Sequence, residues 1–192
     1  MVRIKVQIAL LAVVIGLTIP NPAWSGEAGV PLVLQVQLCS KLLAYVQEPP
    51  LRQANPLHIG IVVKPHNAES ERVGAELKAG FDRLSEIAGR PHEQTIVPLT
   101  SAGALVEEFK RQDVMVVYLT PGVDADMAPI ASALLGLPIL TITAKDSLVD
   151  GGALLGFEIV SGHPKMIFNA RQAKKQGVVL RAAAMALMRI VE

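Results

Sequence analysis

Short runs of β-branched residues alternate with helical segments along most of the chain, and this alternation constrains the fold more than any other feature. The clearest runs are 57–63 and 114–119, which are almost entirely apolar. Runs of that kind are typical of strands buried on both faces of a parallel sheet. Parallel neighbours need long crossover connections, which the intervening helices supply. The sequence therefore predicts an α/β fold with a mostly parallel sheet of about five to six strands and helices on both faces.

Capping residues, prolines and glycines set the boundaries of the predicted elements. The predicted helices span residues 31–47, 67–88, 101–111 and 124–135. The predicted strands span residues 57–63, 94–99, 114–119 and 138–143.

The end of the chain has a different pattern. Residues 152–160 and 165–168 flank the segment Ser161-Gly162-His163-Pro164, whose length suits a hairpin turn. An antiparallel hairpin is therefore predicted at the C-terminal edge of the sheet. A last helix is predicted over 171–191, with an interruption at Gly177.

The first 25 residues have the features of a secretory signal peptide. Arg3 and Lys5 precede an apolar run over 6–19, and Ala23 and Ser25 are the small residues that a signal peptidase reads. As a helix this run would extend about 21 Å, less than the ~30 Å hydrocarbon core of a bilayer. An uncleaved membrane anchor is the alternative. We expect cleavage after Ser25, export, and one domain over 26–192 with no stable membrane insertion.

Composition excludes several classes of function. The 18 Lys and Arg balance 17 Asp and Glu, and aromatic residues make up only 4%, so no nucleic-acid partner is expected. The single cysteine, Cys39, cannot form an internal disulfide. Its place on the apolar stripe of the first helix predicts a buried, inert thiol, although pairing between chains is the alternative.

Polar residues and glycines follow several predicted strands, where the ligands of open α/β sheets collect. These candidate ligand-edge residues are His66, Thr120, Thr143, Lys145, Asp146, Gly151 and Gly152. Ordinary turn and capping chemistry is the alternative interpretation of the same residues.

No catalytic, cofactor or metal motif is present. The sequence has no GxxxxGK[ST], GxGxxG, HExxH or GxSxG pattern, and its four histidines lack metal-ligand spacing. We therefore predict no enzyme activity, no cofactor and no metal site.

Three segments taken together resemble the YfiR-like family. The first helix ends in Tyr45-Val46-Gln47-Glu48-Pro49, which is similar to the family's aromatic-Val-Glu-Trp-Pro ending. Thr141 followed by Gly151-Gly152 resembles the family's Leu-Thr-Val and double-glycine signature. The last matching positions are Asn169 and Gly177.

The resemblance implies a periplasmic signalling protein without enzymatic activity. Better-known members of the family bind the periplasmic part of a membrane diguanylate cyclase and hold it inactive. By resemblance, this chain would then modulate cyclic-di-GMP output and biofilm formation, as a homodimer. No motif identifies the residues that contact the cyclase.

The sequence departs from the family pattern at several positions. Glu48 stands where the family has tryptophan, Ala153 follows the double glycine in place of methionine, and Arg181-Ala182 replaces a Ser-Ser pair. With Cys39 alone, no intramolecular disulfide can control this chain. The apolar faces of 31–47 and 178–191 are the candidate interaction surfaces, and the alternative is that both segments simply cover the sheet.

The rival hypothesis is a periplasmic small-molecule binding protein that resembles one lobe of an ABC-type solute receptor. The segment Asp150-Gly151-Gly152-Ala153 after a threonine-rich strand also occurs in such lobes. Those receptors close two lobes on a ligand, whereas the mature chain has room for one.

Overall fold

The computed structural model describes residues 29–47 and 53–192. The predicted signal segment 1–25 and the family-motif position Pro49, with Glu48 before it, lie outside the described residues.

The secondary structure alternates helix and strand, as the sequence predicts. The strands are β1 Leu57–Val63, β2 His92–Pro98, β3 Val114–Leu119, β4 Leu140–Thr143, β5 Leu155–Val160, β6 His163–Asn169 and β7 Arg189–Val191. The helices are α1 Leu32–Leu42, α2 Ala68–Asp82, α3 Ala102–Arg111, α4 Met127–Ala133, α5 Ser147–Asp150, α6 Ala170–Gln176 and α7 Ala182–Met185. Two 3-10 segments, Leu43–Tyr45 and Asp124–Asp126, follow α1 and precede α4.

One sheet contains these strands in the order β2-β1-β3-β4-β5-β6-β7. Strands β1 to β5 pair in parallel, and β5 and β6 form the predicted antiparallel hairpin. The α/β class and the mostly parallel sheet are therefore confirmed. The sheet has seven strands, however, rather than five or six. The additional β7 pairs with β6, so the hairpin lies one strand inside the edge.

Helices cover both faces of the sheet, which confirms the layered arrangement. On one face Cys39 of α1 and Phe81 of α2 lie in a core cluster with the β1 side chains Ile59 and Ile61. On the other face Phe109 of α3 and residues of α4 lie in a second cluster. The predicted burial of Cys39 is confirmed, since its side chain is 1% exposed.

The predicted interruption of the last helix at Gly177 is confirmed, but its predicted continuation to Val191 is wrong. Gly177 adopts a left-handed conformation with φ 75°, which ends α6. Leu180 then forms an isolated bridge with Val46, and only α7 is helical before the chain enters β7. The segment 178–191 is therefore no continuous helical surface, because part of it completes the sheet beside β6.

Several other boundaries differ, among them the starts of β2 at His92 rather than 94 and of β4 at Leu140 rather than 138. Helix α2 ends at Asp82 rather than at Ala88, because Ile87 is fully buried and exchanges backbone hydrogen bonds with Arg90 in a turn. The hairpin turn contains only Ser161 and Gly162, so His163 belongs to β6. The short helix α5 was not predicted.

Candidate functional site

The predicted ligand edge starts with a closed chain of hydrogen bonds between β1, β3 and α2. The Lys64 backbone N–H donates to Ser70 Oγ at 2.7 Å, and Ser70 Oγ lies 2.6 Å from Thr120 Oγ1. The Thr120 hydroxyl donates to the Val62 carbonyl at 2.7 Å, so the proton between the two hydroxyls belongs to Ser70. Ser70 and Thr120 are fully buried. The Thr120 hydroxyl is therefore engaged in internal hydrogen bonds, and its place in a ligand edge stays a prediction.

Two lysines at this edge are paired with the first and last residues of the 3-10 segment before α4. Lys64 Nζ lies 2.6 Å from Asp126 Oδ2, and Lys145 Nζ lies 2.5 Å from Asp124 Oδ1. The hydrogen bond from Lys145 lowers the pKa of the Asp124 carboxyl. Both pairs are partly exposed, and together they tie the ends of β1 and β4 to the loop after β3.

His66, Thr143 and Asp146 occupy turn and capping positions. His66 is exposed, has φ 63°, and donates its backbone N–H to Glu71 Oε1 at 3.0 Å. Thr143 is buried, and its Oγ1 accepts the Lys145 backbone N–H at 3.2 Å. Asp146 accepts the Ser147 backbone N–H at 2.7 Å. These contacts agree with the turn and capping alternative.

Gly151 and Gly152 lie against α4, apart from the lysine pairs. A Cβ atom on Gly152, where φ is 115°, would lie 2.5 Å from Ala131 Cβ, and one on Gly151 would lie 2.9 Å from Met127 Cγ. The double glycine therefore allows the loop after α5 to pack closely on α4. The structure thus divides the predicted ligand edge into two parts.

A cleft of about 480 Å³ opens beside this double glycine. Its walls are α4, α6 and the end of β7, and its lining includes Asp150, Asn169, Arg171, Gln172 and Lys175. Side chains of opposite charge therefore face the same space. The mixed lining suits a small zwitterionic or polar molecule better than an apolar one.

Buried amides shape the floor of this cleft. Gln172 is 6% exposed and donates from Nε2 to the Ala131 carbonyl at 3.1 Å. Asn169 accepts the Gln172 backbone N–H at 2.8 Å and donates to the Val149 carbonyl at 2.8 Å. Both amide side chains are therefore held by hydrogen bonds to neighbouring backbone. Arg171 and Lys175 are four residues apart, a spacing that places both cations on one face of α6. They do not follow a strand directly, so the strand-end pattern does not include them.

The remaining family-motif positions have identifiable structural roles. The backbone carbonyl of Tyr45 accepts the Arg181 backbone N–H at 3.0 Å, and Thr141 Oγ1 accepts the Leu154 backbone N–H at 2.9 Å, just before β5. Asn169 caps α6, and Gly177 ends it. These residues fix the connections of the last three strands.

Two further observations concern the described residues alone. In ranges 29–47 and 53–192, no three His, Cys, Asp or Glu side chains are grouped so as to hold a metal ion. No helix within these ranges combines the length and apolar character needed to cross a bilayer.

The sequence of residues 33–188 matches the family described as YfiR/HmsC-like. No curated protein matches the chain.

Solved structures with a similar fold share little sequence with it. A conserved domain protein from Vibrio cholerae is 13% identical with a TM-score of 0.56, over 84% of this chain and 60% of that one. The ABC domain in complex with L-Trp from Streptococcus pneumonia is 16% identical with a TM-score of 0.58, over the same shares. CD0873, a substrate binding protein with adhesive properties from Clostridium difficile, is 15% identical with a TM-score of 0.51, over 71% and 54%. The chain thus spans little more than half of each of these proteins.

Proposed function

Because the chain belongs to the YfiR/HmsC-like family, we propose that it is an exported periplasmic signalling protein that binds and represses a membrane-bound diguanylate cyclase. Repression would lower cyclic-di-GMP output and, with it, biofilm formation. The periplasmic part of the cyclase is the proposed partner, and the regulator itself makes and breaks no covalent bond.

The family match carries this proposal, since it spans residues 33–188 and so nearly all of the predicted mature chain. Family membership supports a periplasmic regulator. That its target is a diguanylate cyclase is what we propose. The structure is compatible with regulation by contact. At the predicted ligand edge, the hydroxyls of Thr120 and Ser70 make internal hydrogen bonds. Lys64 and Lys145 each form an ion pair with an aspartate.

Deletion of the gene in its native host tests the proposal directly. We expect intracellular cyclic-di-GMP and biofilm mass to rise, and both to return to the starting level when the full-length gene is supplied. The same gene without codons 2–25 should fail to complement, because its product would stay in the cytoplasm. Unchanged cyclic-di-GMP in the deletion strain would contradict repression.

Homodimerisation is a further part of the proposal. Val33 on α1 is 59% exposed, and a shallow groove between α1 and α2 is lined by Leu32, Val36 and Gly80. An exposed apolar side chain beside such a groove supports self-association at this helix. Sedimentation equilibrium of the mature protein should give twice the chain mass, and Val33→Glu should give the monomer.

Small-molecule binding is the second candidate function, and the mixed-charge cleft beside Gly152 favours it. The similar ABC domain was solved with L-Trp, so amino acids are the first ligands to test. Arg171 and Lys175 would receive a carboxylate, and Asp150 an ammonium group. Isothermal titration with the 20 common amino acids tests this function, with Lys175→Gln as the variant that should bind more weakly. Absence of heat with all of them would remove amino acids as ligands.

A further inference from the structure

The end of β7 forms one wall of the cleft beside the double glycine. Val191 and Glu192 line the cleft together with Arg171 and Lys175 of α6. The other walls, α4 and α6, place buried residues in the two core clusters, whereas β7 is the last strand of the sheet. The shape of the cleft therefore depends on whether β7 is paired with β6.

Strand β7 is held to the sheet by few contacts. Its three residues pair only with Ile167–Asn169 of β6, and within residues 29–47 and 53–192 no strand pairs with its other side. Arg189 and Ile190 are exposed, and Val191 is half-buried. Strand β2, at the opposite edge, pairs with β1 over seven residues. Because segments with few buried apolar contacts separate at a lower cost in free energy, we expect β7 to leave the sheet more readily than β2.

Two arginine side chains attach β7 to its surroundings. Arg189 Nε lies 3.0 Å from both carboxylate oxygens of Glu158 on β5. Arg171 Nη2 donates to the main-chain carbonyl of Glu192, directly after β7, at 2.6 Å. Arg171 and Glu192 both line the cleft, and neither Arg189 nor Glu158 does. One attachment is therefore part of the cleft, and the other lies outside it.

A carboxylate in the cleft would leave the attachment at Arg171 intact. A guanidinium group has several N–H donors, and the Glu192 carbonyl oxygen uses one of them. Arg171 and Lys175 are four residues apart on α6, where like charges repel. A carboxylate between them would reduce this repulsion and hold Arg171 where it meets Glu192. A bound carboxylate therefore strengthens the attachment of β7.

Contacts with the wall add to this effect. A molecule in the cleft meets Val191 and Glu192 only while β7 is paired, so it binds the paired state more tightly than the separated one. A ligand shifts an equilibrium by its difference in affinity for the two states. Because linkage is reciprocal, pairing of β7 also strengthens binding in the cleft.

Separation of β7 would change the surface that the protein presents. The backbone groups of Ile167–Asn169 that pair with β7 would then face solvent on that side of β6. An unpaired strand edge is a template for a strand of another chain. Occupancy of the cleft would therefore decide whether this edge of β6 is closed or open.

We propose that β7 is a movable wall of the cleft, and that a bound carboxylate compound holds it against β6. The proposal rests on the second candidate function in one respect, which is that the cleft accepts a carboxylate. It adds a regulatory consequence, because binding in the cleft is transmitted through β7 to the edge of the sheet.

Hydrogen exchange with a covalently placed carboxylate tests the proposal. Ser132 is exposed and lines the cleft, next to Ala131, whose carbonyl accepts the Gln172 side chain of α6. Ser132→Cys in protein purified from the periplasm is alkylated with iodoacetate, which adds a carboxylate. Iodoacetamide adds an amide of nearly the same size and is the matched control. Because Cys39 is buried, we expect only the new cysteine to react.

Mass spectrometry follows the exchange of backbone amides in peptides of β7, β3 and β2. We expect amides of β7 to exchange about tenfold more slowly with the carboxylate than with the amide, and those of β2 to be unchanged. Arg171→Gln added to the alkylated protein should abolish this difference, and in the otherwise unchanged protein it should speed exchange in β7. Arg111→Gln, which removes an exposed arginine from an ion pair with Glu108, should leave exchange in β7 unchanged.

Several outcomes would overturn the movable wall. These are equal exchange with the two groups, faster exchange with the carboxylate, an equal change in β2, and exchange in unmodified β7 as slow as in the central strand β3. The tethered group acts whether or not a free ligand binds, so the two proposals can fail separately. Slower exchange without heat from any amino acid keeps the movable wall and removes amino acids as ligands. Heat from an amino acid that leaves exchange in β7 unchanged overturns the movable wall alone.

Discussion

The hydroxyl oxygens of Ser70 and Thr120 lie 2.6 Å apart inside the protein and join the first turn of α2 to the end of β3. Each hydroxyl has one proton, and both protons are used within a single chain of bonds from Lys64 N–H to the Val62 carbonyl. Because these hydrogen bonds are buried, we expect no water to take the place of a hydroxyl that is removed.

Removal of either hydroxyl should therefore destabilise the protein. Thr120→Val leaves the Ser70 hydroxyl without an acceptor, and Ser70→Ala leaves the Lys64 N–H without one. We expect each change to lower the free energy of unfolding by about 1–3 kcal/mol. Urea denaturation monitored by circular dichroism measures this loss. Thr120→Ser retains the hydroxyl and should recover most of the difference, whereas an equal loss in this variant would assign the effect to the methyl group.

A second prediction concerns the contact between the double glycine and α4. A Cβ on Gly152 meets Ala131 Cβ at 2.5 Å, while φ is also positive, so Gly152→Ala combines backbone strain with a steric clash. The matched control is Gly162→Ala in the hairpin turn, where φ is 79° and nothing lies within 4 Å of the new Cβ. We expect Gly152→Ala to cost about 1–3 kcal/mol more than the control in urea denaturation. Equal losses of unfolding free energy in Gly152→Ala and Gly162→Ala would show that α4 shifts to accommodate the new Cβ without an energetic penalty.

Cys39 provides a test of the core between α1 and the sheet. Burial raises the pKa of the Cys39 thiol far above its ordinary value, so the native protein holds a neutral thiol at every physiological pH. At pH 8, Ellman's reagent should leave Cys39 unmodified in the native state. It should react completely in about 6 M guanidinium, which unfolds most domains. Rapid labelling without denaturant would contradict this packing.

The same pKa shift has a consequence for stability in alkali. An unfolded chain releases the Cys39 proton near the ordinary pKa of about 9, whereas the folded chain retains it. The unfolded state therefore binds fewer protons above that pH, and the free energy of unfolding should decrease as pH rises beyond it. Cys39→Ala should remove this part of the pH dependence between about pH 9 and about pH 10.5, although the substitution itself leaves a small cavity.

The sequence predicted best the elements whose burial is determined locally. Strands β1 and β3 have the predicted bounds, 57–63 and 114–119, because central strands of a parallel sheet are apolar on both faces. The helix start at Asn67 was also predicted, and its side chain accepts the Ser70 backbone N–H at 2.9 Å.

Elements that depend on distant partners were not predictable in the same way. Residues 178–191 are apolar at helical spacing, yet Arg189–Val191 gains backbone hydrogen bonds by joining the free side of β6. Pro164 suggested a turn, yet it lies in β6. Strand β7 pairs only with Ile167–Asn169, so the missing N–H of Pro164 breaks no hydrogen bond to β7. The ligand edge stays a prediction, and its hydrogen bonds depend on distant residues in the same way. Threonines at strand ends often bind ligands. Only the folded chain shows that the Thr120 hydroxyl accepts a hydrogen bond from Ser70.

The Asp124–Lys145 pair gives a prediction in acid. The hydrogen bond from Lys145 lowers the pKa of Asp124 in the folded protein, so the pair stabilises the fold above the ordinary aspartate pKa and loses this contribution as pH falls through the lowered value. Both side chains are more than 40% exposed, which limits the effect at pH 7 to less than about 1 kcal/mol. Asp124→Asn should lower the free energy of unfolding by that amount at pH 7 and by progressively less below about pH 4. A difference that grows on acidification would mean that the carboxylate is destabilising in the folded state.

Export and processing can be tested through the single tryptophan of the sequence, Trp24. Cleavage after Ser25 would remove it with the signal peptide, so protein purified from the periplasm should show tyrosine emission and no indole band. Its N-terminal sequence should begin Gly26-Glu27-Ala28. The uncleaved alternative gives a different result in the same measurement, since a retained Trp24 would lie beside the apolar run 6–19 and fluoresce in the membrane fraction. A Ser25→Pro variant, which blocks cleavage sites of this type, should convert the first result into the second and so show that the missing indole reports processing.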